Sequence, residues 1–214
     1  VVFKRRDQRP LLRIVAEWVY PRGGWMRAFQ YVTHRLNRLP GSAESIGRGV
    51  AAGVFAVFTP FFGFHFFIAA LLAWILRGNV IASLLATFVG NPLTYVPIAI
   101  ISLETGHFML GSTMRSDVNA GLIARFRGAA GDLLHNLWSI FSGAPAHWHE
   151  LKIFYDTVFF PWMIGAIIPG ILSSILAYFI SVPLIRAYQK RRIAKRRAKI
   201  EKRREQAGTS GAKR

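Results

Sequence analysis

Few residues in this chain are equipped for chemistry, and those few lie beside two prolines within apolar sequence. One group is Thr59-Pro60 followed by His65; the other is Asn91-Pro92 followed by Thr94. Thr or Asn before Pro is a helix-start signature, because the side-chain oxygen caps free N–H groups and Pro suits the first helical position. A helix N-terminus carries unpaired N–H groups and partial positive charge, which makes it an anion site. His65 adds a group able to take or donate a proton. Thr59, Pro60, His65, Asn91, Pro92 and Thr94 are therefore the expected ligand-binding set, converging on a polar pocket. The competing expectation is that Thr and Asn only cap short helices, and that a backbone carbonyl satisfies a lone His among Phe residues.

Other chemistry is scarce. The chain has no Cys, so neither a disulfide framework nor a thiolate site arises. His147-Trp148-His149-Glu150 lacks the helix-borne HExxH spacing of a metal site. Asp117, Asp132 and Asp156 are scattered, and neither a Gly-rich phosphate loop nor a GxSxG elbow occurs. No catalytic residue, metal or cofactor is expected, and the chain reads as a non-enzyme.

The elements that must position the two groups are apolar. Formal charge is +18, yet 52% of the 214 residues are hydrophobic and mean hydropathy is +0.31. The two signals separate along the chain. Residues 1–48 hold ten Lys/Arg against three acids, and residues 186–214 hold thirteen against two. Between Gly49 and Leu103 the one charge is Arg77. Buried charge is expensive and Lys/Arg flanks are retained on the cytoplasmic side, so this layout points to a bilayer. The expected fold is all-α, a polytopic membrane protein with broken or re-entrant helices.

Three regions follow: a cytoplasmic amphipathic region (1–46), a membrane domain (47–185) and a basic cytoplasmic tail (186–214). The membrane domain has apolar segments 47–76, 80–103 and 158–185, with a loop at 104–157. Residues 10–20 and Trp25–Leu36 have the spacing of basic amphipathic helices, suited to headgroups or to the protein's own cytoplasmic face. The early residues hold no apolar run of signal-peptide length, so insertion is expected to use the internal segments. Part of the loop, Leu133–Phe141, reads as a short interfacial helix. Gly49, Ala52, Gly53 and Ala56 recur at the spacing of close helix packing.

The loop is near neutral, with four basic residues and five acids, which places it opposite the two basic ends. Three full spans would put the ends on opposite sides. The simplest resolution makes the first segment a re-entrant hairpin turning near Thr59–Gly63 and returning Arg77 to the cytoplasmic surface. The tail's Arg191, Arg192, Lys195, Arg196 and Arg197 are expected to meet anionic lipid headgroups. Sequence-specific nucleic-acid binding is not expected.

Several blocks carry a resemblance: Gly53-Val54-Phe55, Thr59-Pro60-Phe61-Phe62-Gly63-Phe64-His65, Leu71-Leu72-Ala73, Arg77-Gly78-Asn79 and Gly90-Asn91-Pro92-Leu93-Thr94. Together with the closing Gly165–Ile185 segment they resemble the DUF2062 family, over about residues 30–190. Phe3-Lys4-Arg5-Arg6 and Tyr20-Pro21-Arg22-Gly23-Gly24-Trp25 are similar to its alphaproteobacterial members. The resemblance implies a bacterial inner-membrane domain, in some proteins beside glycosyltransferase domains, and names no reaction. Two functions are expected to compete. One is a small transporter or lipid-handling protein built on the paired breaks, as a homo-oligomer. The other is a non-catalytic scaffold or assembly factor for envelope glycan biosynthesis.

Overall fold

The computed structural model describes residues 24–111 and 118–211, and these are helical with short connections and no strand. The helix expected at residues 10–20 lies outside them.

Helix α1 (Gly24–Arg38) has the expected amphipathic spacing, and its end packs on the protein, with Leu36 and Leu39 against the core. Gly41, at φ 125°, turns the chain, and Ser42 caps α2 (Ala43–Phe58) by accepting from Ser45 N at 3.2 Å. Helix α3 (His65–Ile75) returns antiparallel to α2. Its return is fixed at Arg77, whose carbonyl accepts from Arg48 Nη2 at 2.8 Å, and at Asn79, whose N–H donates to Ser45 O at 2.8 Å. The first segment thus folds back on itself as a helical hairpin.

Asn79 caps α4 (Val80–Ala86), accepting from Ala82 N at 2.9 Å. A 3-10 turn (Thr87–Val89) follows, and α5 (Pro92–Met109) leaves at 87° to the Val80–Val89 stretch. Beyond it come α6 (Val118–Ser142), α7 (His149–Phe154), a π turn (Tyr155–Phe159), α8 (Phe160–Gly165) and the 45-residue α9 (Ile167–Gly211). The 104–157 connection is therefore largely helical, and Leu133–Phe141 is the far part of α6.

Helix α2 is the hub because small residues let two neighbours approach it. Cβ atoms added at Gly49 and Gly53 would collide with the Asn79 and Ser83 carbonyls of α4. One added at Gly47 would strike Val182 of α9, while Gly170 of α9 lies against Phe55 and Phe58. Those pairs make α4 parallel and α9 antiparallel to α2. Helices α5 and α8 meet in the same manner, with Gly106 on the Pro161 carbonyl and Gly165 on the Ser102 carbonyl. The enclosed core is narrow, centred on Ile46, Val57, Leu103 and Trp162.

The exterior is unusually apolar. Phe67, Trp74, Phe108, Leu172 and Phe179 are all exposed. The helical stretch His149–Glu201, with an apolar window of mean hydropathy 2.1, is long and apolar enough to cross a membrane. The count becomes two if the bent pair Val80–Val89 and Pro92–Met109 is one span.

Candidate functional site at the paired breaks

The two breaks lie side by side. Gly90 sits against Val57 at the end of α2, and a Cβ there would also reach the Tyr95 hydroxyl. The link between them is His65. Its Nε2 lies 3.1 Å from the Thr59 carbonyl and its Nδ1 lies 3.3 Å from the Tyr95 hydroxyl. A carbonyl only accepts, so a neutral ring carries its proton on Nε2 and Nδ1 accepts from Tyr95. His65 is buried and both ring nitrogens are engaged, one of them by a backbone carbonyl.

Thr59-Pro60 does not start a helix, which corrects the sequence expectation. Thr59 ends α2: its N–H donates to Ala56 O at 3.1 Å and its Oγ1 to the same carbonyl at 2.7 Å. The next helix waits until His65, after Gly63 at φ 84°, and its Ncap is Phe64, with no side-chain cap. Pro60 is buried inside this turn rather than at a helix's first position.

Asn91-Pro92 behaves as expected. Asn91 Oδ1 accepts from Leu93 N at 3.0 Å and Thr94 N at 3.1 Å, and Asn91 N donates to Thr94 Oγ1 at 2.9 Å. This is a complete capping box with Pro92 in the first turn. Thr94 Oγ1 also donates to Val89 O at 2.5 Å, and Tyr95 N donates to Asn91 O at 2.9 Å. The first N–H groups of α5 are thereby satisfied by the chain itself. An anion at that end would have to displace Asn91.

Aromatic rings close the region. Phe62 meets Trp162 (5.3 Å between centroids), Tyr95 (5.7 Å), His65 (5.9 Å) and Phe126 (6.0 Å). Trp162 Nε1 donates to Phe58 O at 2.9 Å, satisfying a carbonyl left over at the end of α2. Sequence reasoning missed Tyr95 and Trp162 as partners. The signal for Tyr95 was its place one turn beyond Asn91; Trp162 carried none.

Away from the breaks, Tyr31, His34, Arg35, Arg38 and Leu39 line an open groove of about 530 Å³. Of the tail residues expected at headgroups, Arg191, Arg192, Lys195 and Arg197 are exposed on α9; the Arg196 side chain lies outside the described ones. At the same basic end, Arg186 pairs with Glu44, and Gln189 Nε2 donates to Gly41 O at 3.0 Å. The Glu44 carboxyl is held below its ordinary 4.5, first by its own backbone N–H and then by the Arg186 guanidinium. Among the described residues no three His, Asp or Glu are grouped as metal ligands.

A fold that is helical throughout its described residues, with two adjacent broken apolar segments tied by a His–Tyr pair, is the class that fold and site define. The chain belongs to the DUF2062 family, described as an uncharacterized protein conserved in bacteria, whose model matches residues 26–194. No curated protein and no solved structure matches it.

Proposed function

We propose that this chain is a multi-pass protein of the bacterial inner membrane that handles phospholipid at the paired breaks, without catalysis. The apolar exterior and the His149–Glu201 stretch support the bilayer location. Arg48, Arg77 and Arg186 gather at one end, where cytoplasmic placement of both basic termini puts them.

One observation carries the lipid reading: the two helix starts are capped unequally. Helix α5 is filled by Asn91, whereas α3 begins at Phe64 without a side-chain cap. Uncapped N–H groups favour an oxyanion such as a headgroup phosphate. Phe64 is 63% exposed, and Phe61, Phe66 and Phe67 around it are exposed too, a surface suited to acyl chains. Ion passage is less well supported, because the His65, Asn91 and Thr94 groups bond within the chain.

Phe64→Asp tests this. A carboxylate at the Ncap would compete for the α3 start and repel phosphate, at the cost of a charge among exposed apolar rings. The full chain in phosphatidylethanolamine–phosphatidylglycerol vesicles should move fluorescent phosphatidylglycerol between leaflets, and the variant should not. A wild-type chain without such activity sinks the lipid reading. The second reading, a scaffold for envelope machinery, is favoured by the self-satisfied α5 break and by the exposed basic face of α9.

A further inference from the structure

The α6–α7 hairpin is built inside out. On the inner face of α6, Asp132, His135, Asn136 and Ser139 recur at the 3-1-3 spacing of one helical stripe. Their polar atoms bond within the hairpin. Asp132 Oδ2 accepts from Glu150 N at 2.8 Å and Leu151 N at 3.1 Å, capping α7 from a distance. Asn136 exchanges two bonds of 2.7 Å with the His147 backbone. His135 Nε2 donates to Pro145 O at 3.1 Å, its ring stacked 4.2 Å from that of His147, and Ser139 Oγ donates to Asn136 O at 2.8 Å.

The opposite stripe is large and apolar, and it faces outward. Leu134 is 67% exposed, Trp138 69% and Phe141 85%, while Asn136 is 9% exposed. Water selects the reverse arrangement. From Gly128 to His149 the one Asp, Glu, Lys or Arg is Asp132, and it is turned inward as a cap. Arg125 and Arg127 on one side, and Glu150 and Lys152 on the other, flank this nearly uncharged stretch.

We propose that the outer stripe of α6, Leu133, Leu134, Leu137, Trp138 and Phe141, is seated in the bilayer. The region with the neutral charge balance of an exterior loop is on this view a membrane-embedded hairpin. Lipid is the occupant for two reasons. From Gly128 to Ser142 the outward face carries no charge of the kind found at the rim of protein interfaces, and the exposed Arg127, two turns before Leu134, marks where it ends. The hairpin also joins the bundle among apolar surfaces, where Phe126 meets both Phe62 and Phe154 and Leu122 rests on the core. Trp138, an amphipathic ring, suits the interfacial depth. The inference rests on the membrane location above and is independent of lipid handling at the breaks.

Single cysteines report without background in a chain that has none. Leu134→Cys, Leu137→Cys and Phe141→Cys, each in the full chain, are labelled with an environment-sensitive dye in phosphatidylethanolamine–phosphatidylglycerol vesicles. Lys199→Cys on the exposed basic face is the aqueous control. The expected result is strong quenching by doxyl lipid and several-fold weaker quenching by iodide than at position 199. Iodide quenching equal to the control overturns the inference, as do disulfide-linked dimers through these positions, which would assign the face to a second copy. A chain that fails to float with vesicles overturns this inference and the membrane reading together. A chain that floats with a water-exposed α6 overturns this one alone.

Discussion

Arg48 donates from Nη2 to the backbone carbonyl of Arg77, 2.8 Å away, and so ties the start of α2 to the end of α3. Arg77 itself sits at φ 51°, a left-handed conformation that L side chains adopt at a cost. The bond secures that turn. If the hairpin is re-entrant, cysteines at Glu44 and at Arg77 should react with a membrane-impermeant maleimide from the same side of oriented vesicles. Reaction from opposite sides would convert the hairpin into a full crossing.

The Tyr95–His65 bond spans the two breaks. Tyr95→Phe keeps the ring against Phe62 and removes the donor to Nδ1, so it should lower stability by about 1 kcal/mol. His65→Ala removes both bonds and leaves a void among rings, for a loss of about 3 kcal/mol or more. Unfolding midpoints of detergent-purified variants check the order; a Tyr95→Phe loss equal to that of His65→Ala would mean the contact is not separable from the fold.

Two glycine substitutions should act with opposite sign. Gly106→Ala pushes a methyl into the Pro161 carbonyl, backbone against backbone, and should cost about 1–3 kcal/mol or prevent accumulation. Gly131, within α6, has nothing within 4 Å of an added Cβ. Gly131→Ala should therefore stabilise by about 0.5–1 kcal/mol through helix propensity alone. Equal effects from the two would contradict the close α5–α8 approach.

Removing Asp132 should loosen one end of the α6–α7 hairpin. Asp132→Ala strips the acceptor from Glu150 N and Leu151 N, so hydrogen exchange at those two amides should quicken while exchange in α2 is unchanged. Unaltered protection at both amides would show that α7 is held without the cap.

Acid should weaken the Glu44–Arg186 end. A carboxyl held below its ordinary 4.5 in the folded chain contributes stability above that pH and loses it as pH falls through the lowered folded value. Wild type should lose unfolding free energy below 4.5, and Glu44→Gln should show a flatter profile there. The pair is solvent-exposed, so the difference is small.

Much of this architecture was legible because its causes are local. Charge separation marked the apolar segments, parity suggested the hairpin, and the Asn91-Pro92-Leu93-Thr94 string forms the cap its side chains dictate. Gly49 and Gly53 proved to be helix contacts, as their spacing implied. The errors arose where a local signature had two solutions. Thr59 has the same hydroxyl whether it caps a helix start or donates back to Ala56 O, and the six residues up to His65 decide for the latter. The inside-out hairpin was hidden for another reason: Asp132 and Asn136 look like ordinary loop polar residues until α7 folds back onto them.

Helix α9 runs unbroken from Gly170, against Phe58, to Gly211, well past Gln189, whose side chain donates to Gly41 O of the bundle. At 1.5 Å per residue the part beyond Gln189 extends about 33 Å. The far turns therefore stand off from the bundle as a rod of fixed length. Whatever grips them is kept at a set height above the protein's basic end, and shortening the rod by whole turns would bring it nearer in steps of about 5 Å without altering a single contact inside the bundle.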